Sequence, residues 1–162
     1  MEMESSARSR SKRTAFLLSQ LGALSSARFA ERTREIGLTP SEAGVLRLIG
    51  RAPGLSQRAL ADRLGAVPSR VVSLIDSLQA RGLVERERSA TDRRTYELHL
   101  SAKGTQAVHQ LRAIAEAHEA ELLGGLTEEQ SAQLGSLLIQ VAAANALDVD
   151  LHRGTGHSDP GP

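Results

Sequence analysis

The chain has 162 residues, 40% of them hydrophobic and 24% charged, enough for one domain with a real core and little room for a second. Cysteine is absent, which excludes disulfides, thiolate catalysis and thiol redox sensing, and no apolar run approaches the length of a membrane span. The net charge of +1 hides an asymmetry: residues 51–94 carry nine Lys/Arg against five Asp/Glu, whereas residues 95–162 carry three against nine. That distribution suits a phosphate-facing middle and a C-terminal part turned away from phosphate.

Residues 1–13, MEMESSARSRSKR, are polar and basic and lack the apolar core of a secretion signal. They are expected to form a flexible tail on a cytoplasmic protein. Over residues 14–36, Phe16, Leu17, Leu21, Leu24 and Phe29 recur at roughly helical spacing and predict a long first helix, ended by Gly37. LTPSE then opens a second helix, with Thr39 as N-cap, Pro40 in the first turn and Glu42 as capping-box partner. Val45, Leu46, Leu48 and Ile49 form its apolar side, and RAPG breaks it.

Ser56 caps a third helix, SQRALADRL, which stops at Gly65. A fourth begins at Pro68 and runs to about residue 81, closed by Gly82 in a left-handed cap. Val71, Leu74, Ile75 and Leu78 lie on one stripe of this fourth helix, to be packed against the third. Its other side shows Ser69, Ser73, Asp76, Ser77 and Ala80, flanked by Arg70 and Val72. Two strand-like runs, LVERER and TYELHL, bracket SATDRR. In the second run Tyr96, Leu98 and Leu100 alternate with Thr95, Glu97 and His99, the period of a half-buried strand. Ser101 caps a fifth helix carrying Val108, Leu111, Ile114, Ala115 and Leu122 on one face. After GGL, Thr127 and Gln130 form a second capping box before a sixth helix with Leu134, Leu137, Leu138 and Val141 in phase. Beyond Asn145 the periodicity stops, and residues 148–162 are expected to be disordered.

The order helix, tight turn, helix, hairpin is a helix-turn-helix followed by a β-hairpin wing, a shape whose usual task is gripping DNA. The expected fold is mainly α with this small wing, the winged helix-turn-helix occupying about residues 38–100. LTPSEAGVLRLI, LSQRALADRLG, SLIDSLQARGLVERE and ATDRRTYELHLSAKG together resemble the MarR family of bacterial winged-helix transcriptional regulators, over residues 14–147. The resemblance implies a homodimer entwined through dimerisation helices at about residues 14–36 and 101–147. It also implies repression through a palindromic operator in double-stranded DNA, with release by a small-molecule effector, often aromatic or phenolic. It places the DNA-reading helix at the fourth position and assigns Asp92 and Arg94 to the wing tip, the arginine entering the minor groove and the aspartate holding the wing in shape. Where many relatives have a Thr-Arg pair in that helix, this chain has Val72 and Ser73, so its base preference should differ, with Arg70 as the candidate reader.

Each candidate also has a plainer reading. Arg93 and Arg94 in a hairpin loop would aid solubility alone; their neighbourhood favours DNA, since a guanidinium suits the narrow, negative minor groove. Arg70 either reads a guanine edge or clamps phosphate. Val72 either meets a thymine methyl or completes the core stripe. Ser56 and Gln57 head the third helix, where side chains meet backbone phosphate, although Ser56 is equally a simple N-cap. Aromatics make up 2% of the chain, so no aromatic-lined effector pocket is visible, and Phe16, Phe29 and Tyr96 are expected in the core. His109 and His118 point to opposite sides of one helix, and Asp150, His152 and His157 lie in the tail, so neither a metal nor any cofactor is expected. No nucleophile elbow, phosphate loop or carboxylate cluster suggests an enzyme. The alternative to a DNA-binding regulator is a winged-helix interaction module that has lost DNA recognition, which the Val72–Ser73 departure and near-neutral charge motivate.

Overall fold

Nothing in the N-terminal segment stops a helix, and in the computed structural model α1 spans Glu2–Glu35, ending before Gly37 at φ +72°. The structure describes residues 2–90 and 94–147, with side chains from residue 13 onward. α1 thus begins well before residue 14, where apolar periodicity starts. MEMESSARSRSKR contains neither Gly nor Pro, so intrinsic propensity lets the backbone turn continue. The order continues with α2 (Pro40–Arg51), β1 (Leu55–Ser56), α3 (Gln57–Leu64), α4 (Pro68–Ala80), β2 (Val84–Arg88), β3 (Tyr96–Leu100), α5 (Ala102–Leu122) and α6 (Glu128–Ala144).

The local start signals act as read. Thr39 and Glu42 close a capping box on α2, Thr127 and Gln130 another on α6, and the Ser56 and Ser101 hydroxyls accept from the Ala59 and Gly104 amides. At the end of α4, Gly82 adopts φ +69° and the Leu83 amide donates back to the Leu78 carbonyl at 2.9 Å. This is a Schellman closure that a side chain at position 82 would strain.

The sheet has strand order β1-β3-β2, all antiparallel, with Leu55 opposite Leu98, Arg86 opposite Leu98 and Glu87 opposite Glu97. β1 was not expected, because two residues are too few to show an alternation. It adds a third strand at the wing's root and so ties the start of α3 to the hairpin. One core gathers Val45, Leu46 and Ile49 of α2, Leu60 of α3, Val71, Ile75 and Leu78 of α4, Leu98 of β3 and Leu111 of α5. Each of those side chains is almost wholly removed from water, which contributes about 1.5–3 kcal/mol apiece.

Phe29 joins the buried set at 7% exposure, but Phe16 at 62% and Tyr96 at 44% do not, contrary to the expectation that both are core. Phe16 sits on the part of α1 that extends past the head. Tyr96 lies at the outer end of β3, on the face of Leu98 but beyond the reach of the core. Leu17, Leu21 and Leu24 of α1 and Leu137, Leu138, Ile139 and Val141 of α6 are likewise exposed, and α6 buries no residue at all within the chain. Among the described residues no helix is long and apolar enough to cross a membrane.

α5 leaves the sheet through a backbone contact. Ser101 donates its amide to the Leu83 carbonyl at 3.2 Å, and a Cβ on Gly104 would land inside the van der Waals radius of that same oxygen. In an ordinary helix, replacing glycine by alanine stabilises by about 0.5–1 kcal/mol. Here the sign reverses, because backbone rather than a flexible side chain blocks the methyl group. Gly104→Ala is expected to destabilise by about 2–3 kcal/mol, read as a lower urea midpoint with unchanged slope.

Candidate nucleic-acid interface

α4 has two faces. Val71, Ile75 and Leu78 are fully buried and Leu74 half-buried, while Ser69, Arg70, Val72, Ser73 and Asp76 are exposed along the opposite side. Val72 is 41% exposed, so it stands outside the core stripe and offers a methyl-bearing surface to solvent. Ser73 turns its hydroxyl back onto the Ser69 carbonyl at 3.1 Å, which leaves a low, small-residue ridge. Such a ridge lets a helix backbone settle into a groove about its own width. The first turn of α4 has no side-chain cap, since Val67 occupies the N-cap position. Pro68 has no N–H there and the Arg70 and Val71 amides donate to the Val67 carbonyl, so the positive end of the helix dipole and the Arg70 guanidinium are what favour anions.

Ser56 and Gln57 sit half-buried at the head of α3. The Ser56 hydroxyl is occupied as the helix cap, accepting from the Ala59 amide at 3.1 Å, whereas the Gln57 side-chain nitrogen is buried without a hydrogen-bond partner. Arg94 lies exposed just ahead of β3. Asp92 and Arg93 fall outside the described residues. Of the ten candidates, Ser69, Arg70, Val72 and Ser73 therefore share one exposed face of α4, with Arg94 on the wing and Ser56 and Gln57 at the head of α3.

Ser77 behaves differently. Its hydroxyl donates at 2.9 Å to Oε1 of Glu42, which also accepts from Nη1 of Arg81 at 3.3 Å. Oε2 of the same carboxylate accepts the Thr39 amide at 2.9 Å and the Thr39 hydroxyl at 3.1 Å. Glu42 is 6% exposed. Burial raises its pKa, but the hydrogen bonds from Thr39 and Ser77 and the charge of Arg81 outweigh that and hold the carboxyl below its ordinary value.

A second tie fastens the wing to α4. Arg86 donates to Oε1 of Gln79 at 2.7 Å and to Oδ1 of Asp76 at 2.5 Å. Asp76, on the side of α4 read as DNA-facing, thus anchors the wing's root. Exposed ion pairs of this kind are worth roughly 0–1 kcal/mol, whereas hydrogen bonds to a buried charge reach about 1.5–3 kcal/mol each. Glu42 is the stronger junction. Neither Arg81 nor Arg86 stood out in the sequence. Arg86 had a visible signal, since the two-residue period places it on the same face of β2 as Val84, the face that packs inward; Arg81 had none, because its partners lie 39 and 44 residues away.

A helix-turn-helix with a three-stranded wing, an exposed ridge on its second helix and an arginine beside β3 defines a winged-helix protein built to meet a nucleic acid. The model of the MarR family matches residues 36–95. A curated relative from Thauera aromatica, named for regulation of the hcr operon, is 34% identical over 102 residues, 63% of this chain; the chain spans only 61% of that relative's length. Among solved structures, the transcriptional repressor CouR bound to a 23-mer DNA duplex is 30% identical with a TM-score of 0.72, over 82% of this chain and 94% of that one. A MarR family protein of Mycobacterium tuberculosis in complex with DNA is 25% identical with a TM-score of 0.70, over 79% and 96%; it is also solved in complex with salicylic acid. The chain belongs to the MarR family of winged-helix transcriptional regulators.

The depressed pKa of Glu42 fixes the sign of one pH effect. Its stabilisation is complete above the ordinary carboxylate value of about 4.3 and is lost as the pH falls through the lower folded-state value. Glu42→Gln is therefore expected to cost stability at pH 7, with the gap to the parent protein narrowing as urea unfolding is repeated toward pH 3.

Proposed function

We infer that this protein is a sequence-specific DNA-binding transcriptional regulator, a homodimeric repressor in the cytoplasm whose operator is palindromic. The observation that carries this reading is the exposed Ser69–Arg70–Val72–Ser73 ridge of α4, standing beside Arg94 on a wing whose root is fastened to that helix. Arg70 lies at the uncapped first turn, the part of such a helix that reaches base edges, and is assigned to base reading. Arg94, with Arg93 and Asp92, is assigned to the minor groove beside it. Ser56, Gln57 and the hydroxyls of α4 are assigned to backbone contacts; for Ser77 that role would have to coexist with its bond to Glu42. The DNA complexes of CouR and of the M. tuberculosis relative support the assignment by their likeness to this fold.

Dimerisation rests on apolar area. Exposed leucines on both α1 and α6, together with a helix none of whose residues is fully buried in its own chain, leave an apolar surface open to water that a partner would cover. A twofold pair would bury it and set two α4 helices about one DNA turn, roughly 34 Å, apart. Release by a small effector is part of the same reading, supported by the salicylic acid complex of the M. tuberculosis relative.

The decisive experiment is a gel shift with the DNA flanking the protein's own gene, against a scrambled duplex of equal length. A specific shift that weakens steeply with salt is expected; equal binding to both duplexes, or none at low salt, would return the chain to the interaction-module reading. Arg94→Ala should lower affinity by about 1–3 kcal/mol across many sequences, and Arg70→Ala should cost a similar amount while flattening the base preference at one position of each half-site. Leu21→Glu or Leu138→Glu should convert the dimer to a folded monomer in sedimentation, with helix content retained.

A further inference from the structure

The last turn of α4 is where the rest of the head converges. Arg81, its C-cap, sends Nη2 to the Gly37 carbonyl at the end of α1 at 2.6 Å and Nη1 to Glu42 in the first turn of α2 at 3.3 Å. Ser77, one turn earlier, donates to the same Glu42 oxygen at 2.9 Å. From the other side, the first turn of α5 reaches back: Lys103 Nζ donates to the Arg81 carbonyl at 3.0 Å, and the Ser101 hydroxyl to the Gly82 carbonyl at 2.6 Å. The opposite end of α4 has no side-chain cap, and Val67, Ser69 and Arg70 there are exposed. The helix is thus held by directional bonds at its C-terminus and presents its outer ridge from a freer N-terminus.

We propose that Glu42 and Arg81 are positioning residues that set the separation and tilt of the two DNA-reading helices in the dimer, by fixing the C-terminal turn of α4 to the end of α1 and the start of α2. The inference rests on the dimeric DNA-binding reading above and deepens it. In the dimeric reading α1 belongs to the part that pairs two chains, so this junction is a polar link from that part to the DNA-reading helix. The apolar stripe of α4 supplies most of its binding energy to the core, but apolar contact is non-directional, whereas hydrogen bonds fix orientation. A 13-residue helix is a lever of about 20 Å at 1.5 Å per residue, so a tilt of about 5° at the held end moves the other by about 1.7 Å. In a twofold dimer both ends move, and the displacement between half-sites doubles.

Glu42 offers a way to separate this role from the capping of α2, because its two oxygens have different duties. Oε2 caps α2 through Thr39, and Oε1 holds α4 through Ser77 and Arg81. A glutamine can perform the first duty, as Gln130 does for Thr127 in this chain at 3.0 Å. Its amide NH₂ would then face Arg81 and could not accept from it. Glu42→Gln therefore keeps the cap and cuts the tie to Arg81, while the Ser77 hydroxyl can turn to accept from the new amide.

The test uses palindromic duplexes selected from random DNA by the full-length parent protein, then shortened or lengthened by one base pair at the centre. One base pair rotates the second half-site by about 34–36°. The parent should lose about tenfold or more in affinity for either altered duplex. Glu42→Gln and Arg81→Met should discriminate by less than about threefold while remaining dimeric in sedimentation. Should either fail to fold, Arg81→Lys, which keeps the charge but cannot span both Gly37 and Glu42, carries the same comparison. Variants that keep the parent's spacing discrimination, or lose affinity by one common factor on all three duplexes, overturn the proposal and leave the junction a matter of stability. A parent protein that selects no palindrome removes the dimeric reading itself, and the proposal with it.

Discussion

The structure depends on the packing of one side of α4. Val71, Ile75 and Leu78 are withdrawn from water against α2, α3 and β2, and together that burial outweighs any single polar contact the helix makes by several kcal/mol. Because the inner stripe carries most of the energy, the outer side keeps structural duties only at Asp76 and Ser77, which tie the helix to the wing and to α2. It can be small and polar, with Ser69 and Ser73 in a ridge and Arg70 and Val72 at its flanks. A helix that needed its outer face for stability could not offer it to another molecule.

Polar contacts then do what apolar contacts cannot. The Glu42 carboxylate spends both oxygens, one on its own helix and one on α4, so a single buried charge registers two helices against each other. Arg86 does the same more weakly for the wing, linking β2 to Asp76 and Gln79. Gly104 removes the one side chain that would hold α5 off the Leu83 carbonyl. These features draw α4, the wing and α5 together at one corner of the head, where Lys103 and Ser101 donate to the Arg81 and Gly82 carbonyls.

The head and the remaining helices solve burial in different ways. α2 through β3 bury their apolar residues within the chain. α1 is joined to α5 by polar contacts, Arg28 and Arg32 with Glu121 and Ser25 with His118 at 2.9 Å, while much of its apolar surface stays open. Phe29 leans on the His118 ring, with centroids 5.9 Å apart. Ahead of it Leu17, Leu21 and Leu24 stay 53%, 50% and 41% exposed. That is the physical content of Phe16 being exposed rather than core: an apolar stripe states that a residue will be buried, not in which molecule.

What the sequence determined by itself was local. Capping boxes at Thr39 and Thr127, the caps at Ser56 and Ser101, the left-handed stop at Gly82 and the inner stripe of α4 are written in residues three or four positions apart, and short-range sterics and hydrogen bonding enforce them whatever surrounds them. The outward ridge of α4 was legible for the same reason, as the complement of that stripe. Tertiary structure alone decided the rest. β1 exists only because β3 lies beside it, Tyr96 is exposed only because the wing runs past the core, and Ser77 faces Glu42 because two helices meet there. Arg81 joins residues 39 and 44 positions distant, and no spacing along the chain encodes such a meeting. A one-dimensional pattern specifies which face of each element turns inward; only the packed arrangement of those faces specifies which side chains find one another.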